Sequence, residues 1–178
     1  MVWETISNYI EVDNLGSAMK VNGINAWDAG VFSYNTVQNG GYVDFVIREE
    51  ASSRIMGLAY ENESINSINT IDYGFNLGSG SLINIYESGT NLGNIGRYYT
   101  GDTLRIMVKD STVNYIQNGN IIFKSKLSTI APLHVKAVLR YDSSSTGPVT
   151  ISNPLYGSFV ADVNGLDNVS YQWKYNLY

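Results

Sequence analysis

From Gly41 to Glu49 the chain alternates, with Val43, Phe45 and Ile47 on one side of an extended strand and Asp44, Val46 and Arg48 on the other. A period of two marks a strand with one face in a core, so the first set is expected inside. Thr103 to Lys109 repeats the pattern, setting Leu104, Ile106 and Val108 against Thr103, Arg105, Met107 and Lys109. In Leu133 to Arg140 the apolar set is Leu133, Val135, Ala137 and Leu139, which leaves His134, Lys136, Val138 and Arg140 on a more polar face. Further strands are expected near 8–12, 18–21, 31–37, 53–60, 69–77, 81–87, 92–98 and 148–151. No segment keeps a 3.6-residue apolar period over three turns, so no helix is predicted.

Turn chemistry divides these runs. Asn118-Gly119 tolerates the positive φ that a type I′ turn needs at both central positions, so a two-residue hairpin is expected there. Gln117 should then face Asn120, Ile116 should face Ile121, and Tyr115 should face Ile122. Other breaks fall at Asn22-Gly23, Asn39-Gly40-Gly41, Gly78-Ser79-Gly80, Ser88-Gly89, Gly101-Asp102 and the run 142–147. About a dozen short strands separated in this way predict an all-β fold, a two-sheet antiparallel jelly-roll sandwich, because a closed barrel of this length needs fewer and longer strands. The sandwich is assigned to residues 1–154. Residues 155–178 crowd Tyr156, Phe159, Tyr171, Trp173, Tyr175 and Tyr178 together, and read as an extension that adds an edge strand or serves as an assembly arm. Tyr171, Trp173, Tyr175 and Tyr178 are the assembly candidates.

Composition narrows the function. A length of 178 residues with 44% hydrophobic side chains supports one domain that folds without staples. A net charge of −5 with 11 Lys and Arg argues against a nucleic-acid partner, which draws on clustered cations. With no Cys, thiol catalysis and thiolate metal sites are excluded. No apolar stretch approaches the roughly 18–20 residues of a bilayer span, so no membrane insertion is expected. The opening Met1-Val2-Trp3-Glu4-Thr5 lacks the order of a secretory signal. Two settings remain: a module of a larger extracellular or cell-surface protein, or a component of a virion.

An ordered series of short motifs carries a resemblance. It runs through Trp27-Asp28-Ala29-Gly30-Val31-Phe32-Ser33, Gly41-Tyr42-Val43-Asp44-Phe45, Met56-Gly57-Leu58-Ala59 and Ile71-Asp72-Tyr73-Gly74-Phe75. It continues with Ile85-Tyr86-Glu87-Ser88-Gly89, Gly101-Asp102-Thr103-Leu104-Arg105-Ile106 and Val113 to Gly119. Over roughly residues 8–152 the series resembles the concanavalin A-like, lectin- and glucanase-type jelly-roll modules of bacterial surface proteins and of phage tail and fibre proteins. The resemblance implies a lectin-like sandwich, usually accessory or adhesive, and no particular sugar. Gly57, Gly89 and Gly119 look like turn or close-packing positions, and Tyr86 and Tyr115 like strand positions.

Glu11-Val12-Asp13 places two acids on one strand face, as a glycanase requires, but Asn14-Leu15 supplies no third, so a pair of surface acids is expected. His134, the one histidine, shares its face with Lys136 and Arg140 and is expected in a solvated basic stripe. Gly78-Ser79-Gly80-Ser81-Leu82 is a hairpin loop, not a nucleophile elbow. No cofactor is expected. Calcium is the one possibility kept open, at Asp162, Asn164 and Asp167 around a Gly turn, with Glu61-Asn62-Glu63 weaker. Sugar sites pair an aromatic platform with amides and acids. That points to Arg97, Tyr98 and Tyr99 as exposed ligand candidates, and to Trp27, Asp28 and Asn62, although Trp27 also suits a core plug at one end of the sandwich. The expectation is a non-enzymatic recognition module for a glycan or cell-surface receptor. A self-assembling structural virion protein, a homo-oligomer or a partner of other virion proteins, is the alternative, and a glycanase ranks third.

Overall fold

The computed structural model describes residues 1–61 and 64–154. Among these the chain forms β1 (Trp3–Ile6), β2 (Ile10–Val12), β3 (Ala18–Lys20), β4 (Ala29–Val37), β5 (Tyr42–Val46), β6 (Arg54–Ala59) and β7 (Tyr73–Gly78). They are followed by β8 (Leu82–Glu87), β9 (Thr90–Arg97), β10 (Thr103–Lys109), β11 (Thr112–Gln117), β12 (Asn120–Ser128), β13 (Leu133–Leu139) and β14 (Val149–Ser152), with one 3-10 turn at Ile68–Thr70. Seven strands in the order β1-β4-β13-β6-β7-β8-β9 form one antiparallel sheet, and five in the order β12-β11-β10-β5-β14 form the second. The ribbon β2-β3 closes one end. Insertion of β13 between β4 and β6, and of β5 between β10 and β14, carries the chain back and forth between the layers, which is the jelly-roll arrangement.

The alternation read from the sequence sets the layers. Val43, Phe45 and Ile47, with Leu104, Ile106 and Val108, point inward from the five-stranded sheet. They meet Phe75, Ile85, Val135 and Ala137 from the seven-stranded sheet in one core. The Phe75 and Tyr115 rings meet edge to face at 5.2 Å across that core. Each such side chain contributes about 1.5–3 kcal/mol by leaving water. Gly57 faces the opposite way, where an added Cβ would lie 2.0 Å from the Tyr73 carbonyl, so only glycine lets β6 and β7 pair this closely.

The hairpin at Asn118-Gly119 has φ of 50° and 83°, as a type I′ turn requires. Gln117 pairs with Asn120 and Ile116 with Ile121, but Tyr115 faces Phe123, not Ile122, because an irregularity between the two pairs adds a residue to β12. The rings of Tyr115 and Phe123 then pack at 5.7 Å. β1 escaped the pattern, being four residues long and irregular against β4.

The outer face of β13 is not the solvated stripe that its sequence suggested. Lys136 and Val138 are fully buried there, and His134 stacks on Phe32 at 4.6 Å with Nδ1 2.7 Å from the Ser33 carbonyl oxygen. The connection between β6 and β7 lies over this face. Lys136 Nζ donates to the Ser64 carbonyl at 2.6 Å and to Thr70 Oγ1 at 2.5 Å, while Ile55, Ile71, Tyr86 and Val138 form a second, smaller core beneath.

Candidate functional site

The sequence-predicted residues separate once placed. Tyr98 is fully buried, because its backbone N–H pairs with the Ser81 carbonyl and carries the β9 path one residue further, aiming the ring inward. There it lies under the Arg54 guanidinium at 5.5 Å, and burial pushes its phenol up. Arg54 is itself fully buried and its pKa is lowered by desolvation, offset in part by Glu49 3.1 Å away. Arg97 and Tyr99 stay at the surface, Tyr99 at 56% exposure and Arg97 donating to the Gly80 carbonyl. Asp102 shapes this loop by accepting from the Tyr99 N–H, Gln117 Nε2 and Asn118 Nδ2. Burial raises its carboxyl, but those donors outweigh burial and hold it below the ordinary range.

Trp27 is half-buried against the smaller core, with the Arg140 guanidinium 5.9 Å from its ring, so it is not a plug of the main core. Asp28 is the counter-ion of Lys20, which is fully buried and also donates to the carbonyls of Ile24 (2.6 Å), Ala26 (2.9 Å) and Arg140 (2.7 Å). A Cβ at Gly23 would meet Lys20 Cε at 2.2 Å, so Gly23 gives the lysine its passage. Three buried cations, Lys20, Arg54 and Lys136, thus each fasten a connection to the sandwich. Asp13 binds Arg48 at 2.6 Å and accepts the N–H groups of Leu15 and Ser17, the role of a surface acid holding its own turn. The Arg48 bond holds its carboxyl below the usual value.

Asn62 lies outside the described residues, as do Asp162, Asn164, Asp167, Tyr171, Trp173, Tyr175 and Tyr178. Among the described residues no three His, Asp or Glu side chains gather as a metal cluster.

Both lateral sides of the sandwich present openings. On one, a basin of about 570 Å³ lies between β1, β4 and β14, lined in part by Tyr34, Asn35, Thr150 and Asn153. Its amides are engaged internally. Asn35 Oδ1 accepts the Val2 N–H, Asn153 Oδ1 accepts the Gln38 N–H, and Asn153 Nδ2 donates to the Thr36 carbonyl.

On the other side, β9 and β12 are the outermost strands of their sheets, each paired on one side alone among the described residues. Between them runs a groove of about 470 Å³ lined by Glu87, Ser88, Thr90, Leu92, Phe123, Lys126 and Leu127. Leu92 and Leu127 are 49% and 46% exposed, and Phe123 is partly buried against the core. At the floor is Glu87, 4% exposed, whose oxygens accept from Tyr115 Oη (3.0 Å) and Ser125 Oγ (3.1 Å). No ion pair to Glu87 occurs among the described residues, although a buried carboxylate ordinarily takes a cation. Burial first, and the neighbouring Glu87 charge second, push the Tyr115 phenol up strongly, so it remains a donor. The groove therefore combines apolar walls with an acceptor of spare capacity, since a carboxylate offers about four lone-pair sites. A few convergent polar groups in an apolar cleft form a binding site's usual composition.

None of these groove residues was read as a site from the sequence, although Glu87 and Ser88 fell within the motif series. One signal was present: Ile83, Ile85 and Glu87 share strand parity, which puts an acid on a core-facing row. Leu92, in the Gly- and Asn-rich run of β9, could not be told from an ordinary exposed leucine.

No family model matches the chain, and no curated protein matches its sequence. Among solved structures it has the fold of SPRY domains, which are jelly-roll sandwiches of the concanavalin A-like kind. The SPRY domain of human HERC1 superimposes with a TM-score of 0.60 at 17% identity, covering 85% of this chain and 96% of that one. The PSpry domain of TRIM65 does so with a TM-score of 0.61 at 7% identity, over 85% of this chain and 88% of that one. A human SPRY domain gives 0.60 at 9% identity, over 81% and 94%. At such identities the likeness is one of fold. The concanavalin A-like sandwich expected from the motif series is therefore found, while these neighbours give no support to its bacterial or phage setting.

Proposed function

We propose that this chain is a non-catalytic protein-interaction module whose working surface is the groove between β9 and β12. The observation that carries the reading is Glu87, a buried carboxylate with no ion pair among the described residues, at the floor of an exposed apolar cleft flanked by two strand edges. Such edges pair with extended segments, and a cleft beside them supplies side-chain selectivity. The fold it shares with SPRY domains supports an interaction role over a catalytic one. On the motif resemblance alone, a cell surface or a virion is the setting we propose.

The test is selection of displayed peptides on the full chain, followed by titration against Leu92→Asp. Selected peptides should lose at least tenfold in affinity on that variant while its melting temperature holds. Peptides that bind both proteins equally would overturn the groove reading. A glycan is the second reading, favoured by the exposed ring of Tyr99 beside Arg97. Its measure is a glycan array in which binding fails on Tyr99→Ala, paired with a hydrolysis assay on any sugar bound.

A further inference from the structure

The groove has a shape that names its occupant. Its apolar walls are Leu92, Phe123 and Leu127, with Thr90 and Lys126 also in the lining, and its floor is a carboxylate already held by two neutral hydroxyls, Tyr115 and Ser125. An apolar slot ending in an acceptor is the complement of a Tyr or Trp side chain, which carries an apolar ring tipped with an O–H or N–H donor. It accepts a neutral donor without the cost of desolvating a second charge.

The last eight residues of the sequence, Tyr171-Gln172-Trp173-Lys174-Tyr175-Asn176-Leu177-Tyr178, place Tyr171, Trp173, Tyr175 and Leu177 at alternate positions. In an extended strand those four fall on one face. The segment is also as long as β9, whose eight residues form one rim of the groove. We propose, building on the groove as interaction surface, that residues 171–178 of one copy of this chain dock as an added strand in the β9/β12 groove of a second copy, with a Tyr or Trp donor reaching Glu87.

The placement of the two parts favours a neighbour over the same molecule. The chain leaves β14, the outermost strand at the end of the five-stranded sheet opposite β12. The point where the chain leaves the sheet and the groove thus lie on opposite sides of the sandwich, so identical copies set side by side bring the departure point of one beside the groove of the next. This is a heterologous contact, which propagates from one copy to the next. Residues 153–170 could extend up to about 60 Å, well beyond the roughly 19 Å spanned by the four strand spacings from β14 to β12. Reach alone therefore allows the tail its own groove as well, and the oligomeric state of the full chain decides between the two.

The experiment uses full chains, with light scattering and native mass spectrometry across a concentration series. Wild type should form multimers that grow with concentration. Leu92→Asp, with a blocked groove, and Trp173→Ser, with a blocked tail, should each be monomeric and keep the wild-type melting temperature. Mixed one to one, they should form a pair and nothing larger, because one intact tail meets one intact groove. Glu87→Gln, which keeps an acceptor but removes the charge, should weaken assembly about threefold to tenfold. A monomeric wild type, a mixture that stays monomeric, or multimers that persist in both variants would overturn the proposal. Should it fail while displayed peptides still depend on Leu92, the groove keeps its role and only its occupant changes.

Discussion

At the β1/β14 side, polar side chains are abundant and already engaged, since Asn35 and Asn153 satisfy backbone groups of the chain itself. At the β9/β12 side, apolar side chains are exposed above an acid that has hydroxyl partners and, among the described residues, no cation. The larger opening is thus the quieter one. An opening signals binding by what its groups still lack, and by that measure the β9/β12 side is the candidate although the other opening is larger.

The comparison breaks most readily at Tyr115. Tyr115→Phe keeps the ring packing but removes a donor from a buried carboxylate, and should cost about 1.5–3 kcal/mol in urea unfolding. Adding Glu87→Gln should recover part of the loss, a coupling that a double-mutant cycle reads directly. On the opposite side, Asn153→Ala removes two bonds to backbone near the surface and should cost about 0.5–1.5 kcal/mol. Coupling of that size or larger between Asn153 and Glu87 would deny that the sides are independent.

Tyr34→Ser, in the basin, should change stability by less than about 0.5 kcal/mol and leave peptide binding unaltered, whereas Leu92→Asp, equally mild for stability, should abolish it. Calorimetry with a selected peptide checks both. Smallest near neutrality is a pH effect on the β12 side. Burial raises Tyr73, whose hydroxyl donates to the Ser128 carbonyl, from 10.0 to about 12. As pH rises past 10 the unfolded phenol ionises while the folded one stays neutral, so stability should be full below pH 10 and fall toward pH 12. Tyr73→Phe should reduce that decline in the urea midpoint, the remainder belonging to Tyr86, Tyr98 and Tyr115, whose phenols burial also raises, and an unchanged slope would remove Tyr73 as a cause.

Much of the sandwich was legible because alternation is a local property. Val43, Phe45, Leu104 and Ile106 declare their side of the sheet whatever lies beyond it, and Asn118-Gly119 declares its turn. What covers the other side is not local. Lys136 reads as a surface lysine until the β6–β7 connection lies over it, and Asp28 reads as a free ligand until Lys20 arrives beneath it. The same reason hid the groove. Glu87 and Ser125 are far apart in sequence and become one site through the stacking of two sheets, and Tyr98 changes from platform to core through one more backbone hydrogen bond.

The ammonium of Lys20 occupies a cage of four oxygens, three from the main chain and one from Asp28, an all-oxygen surrounding of the chemistry that hard cations also take. Here the ion is tethered by its own side chain. Its local concentration cannot be diluted, and chelators have nothing to withdraw, so the 21–28 loop should keep its shape in any ionic medium. The exposure is genetic instead: one codon change at position 20 would empty the cage in every molecule at once.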